Sequence, residues 1–142
     1  MPSDFMLKSM NGVHRTLLKL SGGRIGWTAA KMPVLELTTV GRKSGESRSV
    51  MLTSPIQDGG SMVIVASKGG DDHPPAWLLN LQANQHVYVA TNGNAKQPMI
   101  ARVATAEERD RLWPQITASF ERYGRYQSKT AREIPLVFLD AV

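Results

Sequence analysis

Glycine-centred turns divide the middle of this chain into short apolar runs, and that spacing constrains the fold more than any other feature. Gly41-Arg42-Lys43-Ser44-Gly45, Asp58-Gly59-Gly60 and Asn92-Gly93-Asn94 are turn sequences, because glycine accepts positive φ and Asn or Asp bonds its own neighbouring backbone. The runs between them are β-branched and too short for stable helices, so they read as strands. Residues 34–40 and 47–55 make a hairpin around the first turn, and residues 62–66 make a buried strand after the second. His86–Thr91 and Gln97–Val103 make another hairpin. Residues 134–139 form a last strand, with Pro135 suited to an edge or a strand start.

Three segments read as helices. Residues 5–20 place Met6, Met10, Val13, Leu17, Leu18 and Leu20 at helical spacing, with Lys8, His14, Arg15 and Lys19 between them. Ser21-Gly22-Gly23 ends that amphipathic helix, which either packs on its own domain or lies on an anionic membrane surface. A long loop over residues 67–75 leads to a short helix at 77–83, because the Pro74-Pro75 pair can lead a helix but not sit within one. Thr105-Ala106-Glu107-Glu108 is a helix start, and the helix runs to about Arg122 with a kink or short break at Pro114. Six short strands with three helices give a mainly β fold with flanking helices, a small barrel or curled sheet rather than a doubly wound α/β domain. At 142 residues the chain is one domain, divided into residues 1–22 as the amphipathic helix and 23–142 as the barrel.

The chain has no cysteine, which removes disulfides, thiolate zinc sites, iron–sulfur clusters and Cys nucleophiles, and favours the reducing cytoplasm. No apolar run approaches a membrane span, and the first ten residues lack a signal-peptide layout. The 17 Lys and Arg exceed the 12 Asp and Glu by five, and the first fifty residues hold eight cations against three acids, 8 − 3 = 5. The surplus is therefore local, which points to a local anion. Those cations are not interleaved with aromatics, so nucleic acid is not the expected partner.

The densest part is the turn itself. Arg42, Lys43 and Arg48 lie within seven residues, with Ser44 and Ser49 as hydroxyl donors, a composition that suits an anion nest or, equally, a solvated hairpin tip. It is neither a Walker loop nor a dinucleotide fingerprint, each of which needs other glycine spacing and a following helix. Ser67-Lys68-Gly69-Gly70, directly after a strand, is a second candidate anion contact. The two loops converge if their strands are neighbours. Asp71-Asp72-His73 lacks a metal ligand set and reads as solvated loop, while His14 and His86 have no identifiable partners. Phe120, Tyr123 and Tyr126 recur every three residues and share a helix face, either as the lining of a pocket for a planar ligand or as core. Trp77 and Trp113 read as core. With no Gly-x-Ser-x-Gly, no paired carboxylates and no metal motif, side-chain hydrolysis is unsupported. An anion grip, a barrel and an aromatic wall suit an anionic planar cofactor that performs the reaction itself.

Leu37-Thr38-Thr39-Val40-Gly41-Arg42-Lys43-Ser44-Gly45 with Arg48, then Val63-Ile64-Val65-Ala66-Ser67-Lys68-Gly69-Gly70, then Pro75-Ala76-Trp77-Leu78-Leu79-Asn80-Leu81, together resemble the deazaflavin-dependent nitroreductase family, also called the F420H2-dependent quinone reductase family. The resemblance runs from about Ser21 to the C-terminus. It implies a split β-barrel and coenzyme F420 as cofactor. It implies that Arg42, Lys43, Ser44, Arg48 and Lys68 hold the phosphate and polyglutamate end. Ser49, Val50, Met51, Leu52 and Thr53, with Val65, Ala66 and Ser67, would line the rest of the cofactor, and Ala76, Trp77, Leu78, Leu79 and Asn80 would close the groove. The implied reaction is hydride transfer from reduced deazaflavin to a quinone, enone, unsaturated lactone or nitroaromatic, with Tyr126, Tyr123 and Ser67 as candidate proton sources. Phe120, Tyr123, Tyr126 and Thr53 would form the acceptor pocket. Thr53 and Phe120 stand where the nitroimidazole-activating member has tyrosines, which shifts the expectation towards quinones and enones. A barrel that binds FMN or haem, or that carries F420 without turnover, is the alternative. The implied setting is the cytoplasm, with peripheral contact at the inner face of the membrane through the N-terminal helix.

Overall fold

The computed structural model describes residues 28–29, 32–91 and 94–142. The amphipathic segment at 5–20, its Ser21-Gly22-Gly23 stop and most of the turn at Asn92-Gly93-Asn94 lie outside the described residues. The elements are β1 (Thr28–Ala29), β2 (Met32–Val40), β3 (Ser47–Thr53), β4 (Ile56–Asp58), β5 (Ser61–Val65), a 3₁₀ turn (Lys68–Gly70), α1 (Ala76–Ala83), β6 (His86–Thr91), β7 (Gln97–Val103), α2 (Ala106–Ser119), α3 (Glu121–Ser128) and β8 (Leu136–Ala141).

All strand pairs are antiparallel, in the order β1-β2-β6-β7-β8-β5-β4, with β3 on β2. β3 and β4 lie at opposite ends of this path, yet only Ser54 and Pro55 separate them in sequence. Two residues cannot cross an open sheet of this width, so the sheet must curl until its ends meet. Ser54 marks the seam. It is fully buried, its N–H donates to Pro33 O on β2 (2.9 Å) and its hydroxyl to Val63 O on β5 (2.8 Å).

Both faces of the curled sheet are covered, which explains why the last strand reads as an uninterrupted apolar run. Along β8, Val137 and Leu139 join a core with Leu35, Leu37 and the α1 residues Leu78 and Leu81. The alternate residues Leu136 and Phe138 join a second core with Leu112 and Ile116 of α2 and Tyr123 of α3. Strand alternation thus places α1 on one face and α2 with α3 on the other.

Most expected elements occur, with differences at the ends. The described residues form eight strands rather than six, because Thr28–Ala29 and Ile56–Asp58 also pair. The last strand begins at Leu136 and runs to Ala141, leaving Pro135 immediately before it. The long helix starts as expected, with a capping box in which Glu108 N–H donates to Thr105 Oγ1 (3.2 Å) and Thr105 N–H to Glu108 Oε1 (2.9 Å). Of the kink or short break expected at Pro114, the break is not there: α2 runs through it and ends at Phe120, and a separate helix continues to Ser128. Pro114 and Asp110, whose carbonyl loses its helical donor, both face solvent, so water can replace the missing bond. Phe120 instead leaves helical geometry (φ −138°, ψ 89°) and packs against the α2–α3 core.

Candidate functional site

Strand direction decides where the two basic loops go. β2 and β5 are four steps apart in an antiparallel path, so they run in the same direction and the loops after them leave the same rim of the barrel. They are not neighbouring strands. The convergence expected from adjacency arises from parity instead.

The first loop is a tight turn. Gly41 N–H donates to Glu46 O and Gly45 N–H to Gly41 O, both at 2.8 Å, while Glu46 N–H donates to Ser44 Oγ (3.2 Å). Residues 42–48 are exposed. Arg48, with 60% of its side chain in solvent, pairs at 3.5 Å with Glu46, and Lys43 has no partner among the described residues. The turn is anchored at its base by Asn80, a buried α1 residue. Asn80 Oδ1 accepts from Arg42 N–H (3.2 Å) and Arg42 Nη1 (3.0 Å), and its Nδ2 donates to Thr39 Oγ1 (3.2 Å). Below the turn Thr38 and Ser49 pair across the hairpin, their hydroxyls 2.7 Å apart.

The second loop is packed. Lys68, Gly69 and Gly70 are consecutive left-handed residues, at φ 46°, 66° and 88°. For Lys68 this conformation costs about 1–2 kcal/mol. Gly70 admits no side chain, since a Cβ there would lie 2.7 Å from Tyr126 O and 3.0 Å from Tyr126 Cα. The loop is therefore seated directly on the aromatic helix. Ser67, only 8% exposed, has no hydrogen-bond partner for its N–H or its hydroxyl among the described residues, an uncommon state for buried donors.

The aromatic residues divide by burial. Phe120 packs edge-on against Tyr123 (6.4 Å between centroids) and Tyr123 against Tyr126 (6.0 Å). Phe120 lies at the break rather than within a single long helix. Tyr123 is core: its hydroxyl lies 3.3 Å from Thr53 Oγ1 and 3.5 Å from Met32 Sδ, and burial raises its pKa although the Thr53 contact opposes this. Tyr126 is half-buried, Lys129 Nζ lies 5.7 Å from its ring centre, and its hydroxyl has no partner among the described residues.

The structure therefore gathers Thr53, Val65, the Ser67–Gly70 loop, Phe120, Tyr123 and Tyr126 at the α3 side, and Arg42 with Asn80 at the hairpin. Residues 49–53 do not present one face. Val50 and Leu52 pack with Ala66, Trp77 and Leu78 against the α1-side core, while Ser49 and Thr53 reach the opposite side, to Thr38 and Tyr123; Met51, between them, is buried. Ala76 is exposed and Leu79 half-buried on α1. Trp113 carries the Arg109 guanidinium 4.4 Å above its ring. Sequence reading missed Arg132, whose guanidinium bonds three carbonyls of the second loop. No local motif marks such a long-range contact.

The exposed cations of the first loop and the buried Ser67 donors, which have no partner among the described residues, are chemically compatible with a cofactor that carries an acidic tail and a polar-edged flat ring. A curled antiparallel barrel with helices on both faces is the split-barrel architecture of flavin- and deazaflavin-type oxidoreductases. Residues 11–141 match the F420H(2)-dependent quinone reductase family, and the chain belongs to it. A relative in Mycobacterium tuberculosis, named an F420H(2)-dependent quinone reductase, is 37% identical over 131 residues, covering 89% of this chain and 87% of that one. A solved F420-H2 dependent reductase is 37% identical, with a TM-score of 0.66, covering 76% of this chain and 94% of that one. A pyridoxamine 5′-phosphate oxidase-type protein of Listeria innocua, at 13% identity and TM-score 0.52 over 89% of this chain and 91% of that one, shares the fold alone. The family is one of oxidoreductases that draw on coenzyme F420. Among the described residues no helix is long and apolar enough to cross a membrane.

Proposed function

We propose that this chain binds F420H2 across the rim between its two basic loops and reduces a quinone there, with conjugated enones and unsaturated lactones as further acceptors. The observation that carries the assignment to this rim is the buried, unpartnered donor pair of Ser67 beside a strained loop, on the same rim as the exposed cations of the hairpin. Arg42, Lys43, Ser44 and Arg48 hold the phosphate and glutamate carboxylates, and Lys68 adds a cation nearer the ring. Ser67, with Val65, the backbone at Ala66 and residues 49–53, lines the remainder of the cofactor. Residues 76–80 shape the groove, Asn80 by fixing Arg42 rather than by direct exposure.

The bound cofactor supplies a hydride from its reduced ring to the electron-poor acceptor. The chain's own task is to orient both partners, exclude water and deliver a proton. Tyr126 is the proton-side group, because the residue is half-buried and its hydroxyl has no partner among the described residues, while that of Tyr123 is held by Thr53 and Met32. Tyr123 keeps Tyr126 in place through the edge-on contact.

A fluorescence titration with F420 beside FMN and NADPH tests the reading, followed by F420H2 oxidation with menadione and a coumarin-type enone. F420 binding with turnover supports it. Tight FMN or haem binding without F420 competition, or F420 binding with no oxidation of F420H2, would replace it with a flavin- or haem-binding barrel or an F420 carrier. Quinones partition into membranes, and the apolar spacing at residues 5–20 suits a surface helix. Co-sedimentation with anionic vesicles, lost on removal of residues 1–22, is the expected sign of peripheral contact.

A further inference from the structure

Arg132 lies between α3 and β8, outside the sequence motifs of both basic loops. Its Nε donates to Asp71 O (2.9 Å), and its Nη2 to Ala66 O (3.2 Å) and Ser67 O (3.0 Å). No carboxylate pairs with it among the described residues. Its own segment is fastened in turn by Gln127, whose Nε2 donates to Arg132 O (2.7 Å) and whose Oε1 accepts from Ile134 N–H (2.9 Å). The planar guanidinium fork thus ties the end of the aromatic helix to both ends of the loop at 66–71.

We propose that Arg132 is a positioning residue for that loop, aiming the Ser67 donors into the site and holding them in register with Tyr126. The inference rests on the reading of Ser67 and Lys68 as cofactor contacts. Peptide units are planar and trans, so drawing the carbonyls of Ala66 and Ser67 towards Arg132 turns the N–H groups of Ser67 and Lys68 the opposite way. Lys68, next in the chain, is left-handed at φ 46° and unfavourable there unless something holds it, and the fork supplies the hold at three carbonyls around it. Burial lowers the Arg132 pKa, yet a guanidinium remains charged at neutral pH, and its donors are fixed in one plane. A lysine at this position has a single donor centre and cannot span the three carbonyls.

The test compares Arg132→Met and Arg132→Lys with Arg109→Met. Arg109 braces the same C-terminal segment, through Ile134 O (2.8 Å) and Gln127 Oε1 (3.0 Å), without bonding the loop at 66–71. Hydrogen exchange of the cofactor-free protein reads the loop directly, and F420 titration reads the site. For Arg132→Met, exchange at residues 67–71 rises and F420 affinity falls, each about tenfold, as for the loss of charged hydrogen bonds. Arg132→Lys lies between Arg132→Met and the unsubstituted chain, and carries the comparison alone if the methionine variant does not fold. Arg109→Met lowers Tm without moving either readout. Unchanged exchange at 67–71 in the Arg132 variants, or an equal rise in Arg109→Met, overturns the proposal. If the unsubstituted chain binds no F420, the cofactor reading fails, and the exchange comparison still decides whether Arg132 holds the loop.

Discussion

The two basic loops share a rim but are built in opposite ways. The turn at 41–46 keeps its cations in water and is tied at its base by Asn80. The loop at 66–71 is packed on Tyr126, pinned by Arg132 and held in left-handed geometry. On the proposed cofactor assignment, the difference follows from what each would supply. Attraction between charges falls slowly with distance and tolerates imprecise placement, and burying unpaired cations would cost several kcal/mol each. A hydrogen bond to a ring edge depends steeply on distance and angle, so donors for that purpose must be fixed and dry. In that proposal one loop would supply charge and the other shape.

If so, substitutions in the second loop act first on stability and those in the first on affinity. Gly70→Ala gives the largest effect. It adds strain at φ 88° and a Cβ 2.7 Å from a backbone oxygen, a loss of about 2–4 kcal/mol measurable by urea unfolding. A neutral result would mean that the loop is not seated on Tyr126. Lys43→Ala or Arg48→Ala comes next. Each weakens F420 binding by about 1.5–3 kcal/mol, leaves the urea midpoint nearly unchanged and flattens the salt dependence of binding. Equal losses of stability in both loops would break the contrast.

The same contrast governs what the sequence could disclose. The exposed turn is local, and Gly41, Arg42, Lys43 and Gly45 announce both its geometry and its charge. Strand hairpins were legible for the same reason, since their signals lie within a dozen residues. The packed loop was visible only as Ser67-Lys68-Gly69-Gly70. Its seat on Tyr126 and its bonds to Arg132 join positions about sixty residues apart, and no periodicity encodes such contacts. A kink or short break was expected at Pro114 because proline is a local signal, whereas the helix ends at Phe120, whose side chain packs against the α2–α3 core. Pairing of Thr28–Ala29 and Ile56–Asp58 was missed because runs this short carry no pattern.

Within the aromatic set, Tyr126→Phe removes one unpaired hydroxyl and leaves the ring to pack. Turnover is expected to fall about tenfold, the weight of one transition-state hydrogen bond, with F420 affinity unchanged. Tyr123→Phe is expected to act on stability instead, because its hydroxyl already lies against Thr53 and Met32. Should Tyr123→Phe slow turnover at unchanged stability, the assignment of the two tyrosines reverses.

The smallest effect provides a control for both loops. Arg102 joins β7 to the start of α2 and to β8, donating to Glu108 (2.8 Å) and Asp140 (2.8 Å), and neither acid touches the loops at 41–46 or 66–71. The Arg102 hydrogen bond and the Thr105 N–H hold the Glu108 pKa down to about 2, from its ordinary value of 4.5. A depressed carboxylate pKa stabilises the folded state above the unfolded value, and that contribution is lost as pH falls from 4.5 towards about 2. Glu108→Gln is therefore expected to lower neutral-pH stability by about 1 kcal/mol, the scale of a half-exposed ion network, and to reduce the acid-dependent slope of the urea midpoint over that window. F420 affinity at neutral pH should not change. If it falls with Glu108→Gln as it does with Lys43→Ala, affinity is tracking global stability, and the division between a loop for charge and a loop for shape is wrong.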